Sequence, residues 1–261
     1  MTARLRLTGI SKSFAGIAAL NGVSLEIPAG SALGVLGPNG CGRTVLIDLI
    51  SGHLRPDTGQ IKLTDHEGGH IELDSLPAHD IIELGVARTW QDVRLIGGMT
   101  VLDEVMLGAF SRRRASLLSA MLGLPAPRRD LAVGRDRARQ MLELMGLGER
   151  AASLPERLSR AEQMRIGIAR ALTSQPDLLL LDAPAAGLSE AEIAELAALV
   201  ELLRDAGISV MVADRHMKLI AQCCDCAIAL DAGRVIAAGS PSECFASPEV
   251  QQAYFGASPA C

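Results

Sequence analysis

The chain has 261 residues, of which 49% are hydrophobic and 21% charged, and its formal net charge is -5. This composition is that of a globular protein with a sizeable core, and it excludes disordered and collagen-like chains. The acidic balance disfavours a dedicated nucleic-acid binder, so no nucleic-acid partner is expected. No apolar run reaches the roughly 18 residues that cross a bilayer, and the N-terminus lacks the apolar region of a signal peptide. A soluble chain in the cytoplasm is therefore expected.

The basic side chains divide into 22 Arg and only three Lys, and they concentrate in one segment. Residues 111 to 139 hold eight Arg against two Asp, a net charge of +6. Such a run is typical of a solvated helical face, and the alternative is a surface for phosphates or anionic lipids. Residues 111 to 130 also form a compositional island between two helical stretches, which indicates an insertion.

The six cysteines do not predict a disulfide framework, because no export signal is present. Cys223, Cys224 and Cys226 lie within four residues of sequence. Zinc sites usually pair a C-x-x-C motif with a second half, and no such half follows here. Small buried side chains are therefore favoured over a metal site.

Strand and helix patterns alternate from the N-terminus onward. Half-buried strands are predicted at Leu5–Thr8 and Val23–Ile27, with Asn21-Gly22 as the tight turn between them. An apolar strand at Ala32–Leu36 then runs into a glycine-rich loop and a helix over about Arg43–Ile50.

The same alternation continues to the C-terminal part. The predicted elements are strands at 60–63 and 70–73, a helix from 100, a helix over about 130–145, and strands at 178–182, 208–213 and 227–230. Ser189 and Glu192 form a capping box that begins a long helix to about Asp205. A series of this kind is typical of a parallel sheet.

The glycine-rich loop has the spacing of a Walker A motif, G-x-x-x-x-G-K-[ST], between a strand and a helix. Its members are Gly37, Pro38, Asn39, Gly40, Cys41, Gly42, Arg43 and Thr44. In this motif, backbone N–H groups hold phosphates and the hydroxyl faces Mg²⁺. Arg43 replaces the lysine, which keeps the charge but puts a planar fork in place of a compact ammonium. The alternative for the loop alone is a turn without a ligand.

Several further motifs, at the expected spacing, make the chain resemble the ATP-binding subunits of ABC transporters from Leu5 to Gly256. The particular likeness is to the group that serves branched-chain amino acid importers. The segments that carry it are SKSFAGIAALNGVSLEIPAG, GVARTWQDVRLIGGMTVLDEVMLG, LLLLDAPAAGL, VADRHMKLI and SPEVQQAYFG.

The resemblance implies an α/β fold: a P-loop (RecA-like) parallel sheet core, an N-terminal antiparallel β subdomain and an inserted α-helical subdomain. The expected parts of this single 1–261 domain are a β subdomain at about 1–30 and 55–75, a core at about 31–54, 76–98 and 170–240, a helical subdomain at about 99–169 with the 111–130 insertion, and a C-terminal segment at 241–261.

The resemblance also implies site residues, with ATP and Mg²⁺ as ligands. Phe14 matches the aromatic that stacks on adenine, and Gln91 matches the Q-loop glutamine that senses Mg²⁺ and the membrane subunits. A core position for Phe14 and a solvated loop position for Gln91 are the alternatives. Thr44 and Asp182 match the hydroxyl and the Walker B acid that face Mg²⁺. An acid at the end of an apolar strand is otherwise costly.

Two catalytic positions depart from the family pattern. Ala183 stands where a glutamate activates the attacking water, and Arg215 stands where a switch histidine contacts the γ-phosphate. His216 is next to that position but holds the place of a family acid, so it is interpreted as a surface or locally hydrogen-bonded residue. Since the loss of a positioned base lowers rates by about 10² to 10⁴, poor or absent hydrolysis is predicted.

The signature motif also departs from the family pattern L-S-x-G-Q. Its residues here are Ser159, Arg160, Ala161, Glu162 and Gln163. In the family, the backbone of this motif approaches the γ-phosphate of the partner's nucleotide. Here Ala161 adds a Cβ at that place and Glu162 adds a negative charge. Ser159 and Glu162 are equally a capping box that begins a helix without any nucleotide.

The expected function is a nucleotide-binding subunit of an ABC importer of amino acids, of the branched-chain type. It is expected to couple ATP binding to transport, with impaired hydrolysis at its own site. Its expected partners are a second ATPase subunit in a hetero- or homodimer, two membrane permease subunits and, indirectly, a periplasmic solute-binding protein. The expected location is the cytoplasmic face of the inner membrane. The alternatives are a non-hydrolysing pseudo-ATPase scaffold or regulator, an inactivated chain without nucleotide affinity, and a soluble ABC protein outside transport.

Overall fold

The computed structural model of the protein describes residues 3–65, 68–112 and 125–256. The strands are β1 (Ala3–Phe14), β2 (Ile17–Pro28), β3 (Ala32–Leu36), β4 (Thr58–Thr64), β5 (His70–Glu72), β6 (Val86–Arg88), β7 (Leu178–Asp182), β8 (Ser209–Ala213), β9 (Cys226–Asp231) and β10 (Arg234–Gly239). The α-helices are α1 (Arg43–Ile50), α2 (Ala78–Glu83), α3 (Val101–Met106), α4 (Pro125–Leu144), α5 (Arg160–Thr173), α6 (Glu190–Asp205), α7 (Met217–Cys223), α8 (Pro241–Ala246) and α9 (Pro248–Phe255).

These elements form two sheets. The first is antiparallel, in the order β2-β1-β4-β5. The second has the order β10-β9-β3-β8-β7-β6, in which only β10 runs antiparallel to its neighbour. The predicted α/β class with a parallel sheet core and an N-terminal antiparallel sheet is confirmed.

The predicted turn at Asn21-Gly22 is wrong. β1 continues to Phe14, and the hairpin reverses at Ala15-Gly16, where φ is 48° and 83°. Asn21-Gly22 lies inside β2 at a register irregularity, with φ of 69° at Gly22. The Asn21 N–H donates to the Gly233 carbonyl at 2.8 Å and the Gly22 N–H to the Ser11 hydroxyl at 3.0 Å. The dipeptide therefore forms a bulge, which has the same need for positive φ as a turn.

Helix α4 begins at Pro125, five residues before the predicted start near Asp130. Proline is well suited to the first position of a helix, where its missing N–H has no partner to lose. Arg129, Arg135 and Arg139 are exposed on this helix, which agrees with the solvated face predicted for the basic segment. Residues 113–124 of the predicted insertion lie outside the described residues.

The four central strands of the six-stranded sheet, β9, β3, β8 and β7, are buried on both faces. Alternate residues of β7 belong to different clusters, with Leu178 and Leu180 on one side and Leu179 and Leu181 on the other. The first side packs against α1 and the antiparallel sheet, and the second against the helices α3 to α7. A strand buried on both faces is apolar throughout, so Asp182 emerges only at its carboxyl end. In parallel sheets, that edge is where ligands bind.

Cys41, Cys223, Cys224 and Cys244 are buried free thiols, as predicted for small buried side chains, and Cys226 is partly buried. Within residues 3–65, 68–112 and 125–256, no group of three or more His, Cys, Asp or Glu side chains is placed to hold a metal ion. Across the same ranges, no helix is both long enough and apolar enough to span a bilayer.

Candidate nucleotide-binding site

The glycine-rich loop joins β3 to α1 and leaves the start of the helix open. Gly42 is the N-cap residue with φ of 110°, and a Cβ there would lie 2.6 Å from the Ala19 carbonyl oxygen. No side chain caps α1, and its first turn holds no acidic residue. The first N–H groups of a helix carry partial positive charge, so this end of α1 is suited to an anion.

The C-terminal helix α9 supports the loop from the opposite side. The Gly37 N–H donates to the Tyr254 hydroxyl at 2.8 Å, and burial raises the pKa of that phenol. A Cβ on Gly37 would lie 2.4 Å from Cys41 Sγ, so only glycine fits between these contacts. Burial also raises the pKa of the Cys41 thiol, which therefore acts as a small buried side chain.

Arg43, in the lysine position, folds back on its own loop. Its guanidinium Nη1 donates to the carbonyl oxygen of Gly37. Arginine presents several donors in a fixed plane, so one edge can bind this carbonyl while others remain available to an anion.

A cavity of about 360 Å³ opens beside the loop and the carboxyl ends of β7 and β8. It brings together eight of the predicted site residues: Asn39, Gly40, Arg43, Thr44, Gln91, Asp182, Ala183 and Arg215. Its lining also includes Ala186, Asp214 and His216. Pro38, Cys41 and Gly42 belong to the same loop without lining this cavity.

Thr44 and Asp182 meet in this cavity in an arrangement that fits Mg²⁺. The Thr44 hydroxyl lies 3.4 Å from Asp182 Oδ1, and the Asp182 side chain is only 4% exposed. Desolvation raises the pKa of this carboxyl, although the nearby Arg88 opposes the shift. Oxygen ligands of one or two side chains, completed by phosphate and water, are what Mg²⁺ prefers. Gln91 lines the same cavity.

Ala183 contributes a methyl group to the cavity. Its backbone has φ of 46°, and its N–H donates to the Ala213 carbonyl at 2.7 Å. The carboxylates in the lining are Asp182 and Asp214. The position where the family has a water-activating glutamate is thus beside the cavity but without a proton acceptor.

The residues after β8 place an imidazole in the cavity. Arg215 is exposed, whereas Asp214 is 1% exposed and bonds the neighbouring backbone. His216 Nδ1 lies 2.7 Å from Asp214 Oδ1. The local hydrogen bond predicted for His216 is present. His216 also lines this cavity, which the sequence motif did not predict.

Arg88, at the end of β6, is a second residue that sequence analysis missed. Its guanidinium lies 2.6 Å from an Asp48 oxygen, 3.0 Å from the Ser51 hydroxyl and 3.7 Å from Asp182 Oδ2. It also stacks 3.9 Å from the centre of the Trp90 ring. The signal in the sequence is a charged residue in an otherwise buried strand, since such a group needs a partner.

The signature residues lie at the start of α5. The Ser159 hydroxyl accepts from the Glu162 N–H, and the Ser159 N–H donates to Glu162 Oε2, so the predicted capping box is confirmed. Arg160 reaches the Ala186 carbonyl at 2.9 Å and the Gln91 carbonyl at 3.4 Å. Ala161 is buried, and the Gln163 amide donates to two carbonyls of the preceding turn.

Phe14 lies away from the cavity lining, at the end of β1. It is 44% exposed, and Lys12 Nζ is 5.7 Å from its ring centre. An exposed aromatic beside a hairpin tip can offer a stacking face, and it is not a core side chain.

A model of the family described as ABC transporter matches residues 20–186, which is more than half of the chain. The chain belongs to the ABC transporter family. The resemblance inferred from the sequence motifs is thereby confirmed.

Curated relatives of this ABC transporter chain match over nearly its whole length. The high-affinity branched-chain amino acid transport ATP-binding protein LivG of Salmonella typhimurium is 35% identical, covering 97% of both chains. The protein BraF of Pseudomonas aeruginosa, with the same description, is 32% identical over 97% of both. The lipopolysaccharide export system ATP-binding protein LptB of Escherichia coli is 28% identical, covering 97% of this chain and 98% of its own.

Solved structures of ABC cassettes have the same fold as this ABC transporter chain. A nucleotide-free ATP-binding cassette from an ABC transporter has a TM-score of 0.83 at 25% identity and covers 97% of this chain and 99% of its own. A cassette in its ADP conformation also has a TM-score of 0.83 at 25% identity, with 98% and 100% covered.

Proposed function

We propose that this chain is the nucleotide-binding subunit of an ABC importer of branched-chain amino acids, and that it binds ATP with Mg²⁺ but hydrolyses it slowly at its own site. One observation carries this proposal. In the cavity of about 360 Å³, the groups suited to phosphate and Mg²⁺ remain, while the water-activating position holds the methyl group of Ala183.

Phosphate binding follows from the open helix start and the adjacent cation. The uncapped N-terminus of α1 offers backbone N–H groups, and Arg43 adds a positive charge beside them. Together they would attract an anion to the loop. The adenine would stack on the exposed face of Phe14.

Thr44 and Asp182, with Gln91 in the same lining, would hold Mg²⁺. Bound there, the ion would neutralise phosphate charge during transfer. The raised pKa of the buried Asp182 carboxyl reflects an anion that lacks full solvation, and a cation relieves that penalty. Asp182 is thus occupied as a ligand and does not serve as a base.

Slow hydrolysis follows from the lack of a carboxylate at the water-activating position. The second carboxylate in the lining, Asp214, accepts from Ala185 N–H at 2.8 Å, from His216 N–H at 3.0 Å and from the imidazole. Asp214 is 1% exposed and uses both of its oxygens to hold the backbone and the imidazole, so it does not take the place of the glutamate. A positioned base contributes about 10² to 10⁴ in rate, so hydrolysis at this site falls by at least about a hundredfold.

The expected assembly is a head-to-tail dimer with a second ATPase subunit, identical or different, on two permease subunits at the cytoplasmic face of the cell membrane. In such a dimer, the signature of this chain meets the partner's nucleotide. Glu162 would then bring a negative charge toward phosphate, although Arg150 lies 3.7 Å from it. Both composite sites therefore contain altered residues from this chain.

A groove of about 550 Å³ beside Gln91 is suited to a permease helix. Its rim combines apolar Ile82 and Ile96 with cationic Arg94 and Arg170. Ile96 is 51% exposed and lies next to other apolar lining residues, so the groove offers an apolar surface to a partner. Since the groove adjoins the loop that carries Gln91, movement of a docked helix would reach the cavity directly.

Three measurements on the purified chain and its co-expressed partner test the proposal. Calorimetry should show micromolar Mg-ATP affinity that Asp182→Ala weakens, and phosphate release should be slow. Combining Ala183→Glu, Arg215→His and Arg43→Lys should raise release by about a hundredfold or more. Brisk release by the unchanged chain that disappears with Asp182→Ala would contradict slow hydrolysis, and absence of ATP binding would exclude the function itself. ATP binding without any phosphate release, both for the chain alone and for the chain with its partner, would establish the pseudo-ATPase alternative.

A further inference from the structure

The Asp214–His216 pair combines a buried acid with an imidazole at the edge of the nucleotide cavity. Asp214 is 1% exposed, and the side chain of His216 is 30% exposed. Both line the cavity that also contains Thr44, Asp182 and Ala183. The pair therefore lies beside the place where the family glutamate is missing.

The hydrogen bonds assign the tautomer of the imidazole. Asp214 Oδ2 accepts from the Ala185 N–H, and Asp214 Oδ1 accepts from the His216 backbone N–H. A carboxylate held by such donors is an acceptor, so the 2.7 Å contact requires that His216 Nδ1 carries the proton. In the neutral imidazole, the lone pair is then on Nε2, on the ring edge turned away from Asp214. Among the described residues, no protein group hydrogen bonds to Nε2.

Capping of α7 does not account for this arrangement. His216 is the N-cap residue of that helix, yet its side chain makes no capping hydrogen bond. A side chain that served the helix would accept from one of its first N–H groups. The imidazole instead bonds Asp214, and none of the described residues bonds Nε2.

We propose that His216 Nε2 is the proton acceptor for the residual ATP hydrolysis of this chain and that Asp214 is its positioning residue. This inference rests on the proposed function, because it requires that ATP occupies the cavity. It assigns to a residue outside the family's catalytic positions the role that Ala183 cannot perform.

The step balances without a further reactant. The water oxygen bonds the γ-phosphorus while its proton passes to Nε2. The bond from the γ-phosphorus to the bridging oxygen breaks, and its electron pair leaves with ADP. Asp214 stabilises the resulting imidazolium, which later returns the proton to solvent. An acid that fixes the tautomer and offsets the charge is the general arrangement for a histidine base.

The test compares His216→Asn with the unchanged full-length chain. The asparagine amide can still donate to Asp214 but has no group in the place of Nε2. His79→Asn, at a histidine whose side chain is 78% exposed, is the matched control. Mg-ATP binding is measured by calorimetry, and phosphate release is measured in single turnovers with and without added imidazole.

If His216 is the base, His216→Asn leaves ATP affinity within about twofold and slows phosphate release about tenfold or more, and free imidazole restores part of the rate. His79→Asn changes neither quantity. In the Ala183→Glu background, where a carboxylate takes the proton, His216→Asn changes the rate by less than about twofold.

Other results would overturn the inference. They are an unchanged rate in His216→Asn, an equal loss in both backgrounds, and a parent chain that binds ATP but releases no phosphate. A parent chain that binds no ATP would overturn the proposed function as well, so the two failures are distinguishable.

Discussion

The hydroxyl of Tyr254 accepts a 2.8 Å hydrogen bond from the backbone N–H of Gly37, the first residue of the phosphate loop. Tyr254 lies in the last described helix, so the C-terminal segment holds the loop that follows β3. The contact fixes the loop before any nucleotide arrives. Because the loop is already ordered, nucleotide binding loses less free energy to the entropy cost of ordering it.

Tyr254→Phe should therefore weaken ATP binding by about fivefold, which corresponds to the roughly 1 kcal/mol of one hydrogen bond. The ring remains, so the packing of α9 is retained. Calorimetry with Mg-ATP measures the change. Phe255→Leu, at the neighbouring side chain that is 76% exposed, should leave the affinity unchanged. Equal affinities for Tyr254→Phe and the parent would show that the contact does not organise the loop.

Arg88 is predicted to stabilise the fold by neutralising two carboxylates. Its side chain is 6% exposed and contacts Asp48 and Asp182. Arg88→Met leaves both acids without this cation, and we expect unfolding free energy to fall by about 3 kcal/mol in urea titration. Arg94→Met is the control, because Arg94 is exposed and only approaches Trp90 at 5.0 Å.

Adding Asp48→Asn to Arg88→Met should recover part of the lost stability, since it removes one of the unpaired charges. A strictly additive double variant would mean that the Asp48 contact contributes nothing.

Glu162→Gln should separate the helix-capping role of this residue from its charge. The Ser159 N–H donates to Glu162 and holds the pKa of that carboxyl below its usual value. A lowered pKa adds stability that is present at neutral pH and is lost as the pH falls through the folded-state pKa. Glutamine also fits a capping box, so the variant should be within about 0.5 kcal/mol of the parent at pH 7 and should lack this acid-dependent loss.

The same variant, assembled with the partner ATPase, should release phosphate several-fold faster at the partner's site, because a negative charge beside phosphate is gone. Glu162→Ala tests the capping role of this residue. Because it removes the charge and the cap together, it should be less stable than Glu162→Gln. Identical partner-site rates for Glu162→Gln and the parent would exclude charge repulsion at the signature.

Ile96→Asp should abolish co-purification with the permease subunits while ATP affinity stays unchanged. The substitution puts a charge in the groove beside Gln91, where an apolar helix would otherwise exclude water. Leu202→Asp is a matched control, because Leu202 is also an exposed apolar residue, at 50%, but lies on α6. Permease recovery equal to that of the parent would assign the docking surface elsewhere.

Sequence analysis foresaw the features that local rules determine. The strand, loop and helix around Gly37 to Thr44 could be predicted because an apolar run is followed by glycines that permit a tight loop. The capping boxes at Ser159 and Ser189 could be predicted from a glutamate three residues after each serine. Asn21-Gly22 shows the limit of such rules. Its preference for positive φ was correct, but tertiary hydrogen bonds to Gly233 and Ser11 decided that it forms a bulge.

Contacts between distant segments were beyond those rules. Gly37 and Tyr254 are 217 residues apart, and no local pattern links them. The place of His216 in its motif correctly predicted a local hydrogen bond. It did not predict that the ring lines the cavity. A buried Asp two residues earlier was the available signal, because such an acid needs donors and an adjacent imidazole supplies one.

The charge of the cavity has a consequence for the time that a nucleotide stays bound. Compared with a glutamate and a neutral histidine, Ala183 removes one negative charge and Arg215 adds one positive charge beside the phosphates. Both changes favour an anionic ligand and oppose its departure. If hydrolysis is as slow as proposed, the residence time of the nucleotide at this site would be set by slow dissociation more than by cleavage. In a working transporter, this chain would then keep its nucleotide bound through several import cycles. The hydrolysis rate of the partner would set the rate of each cycle.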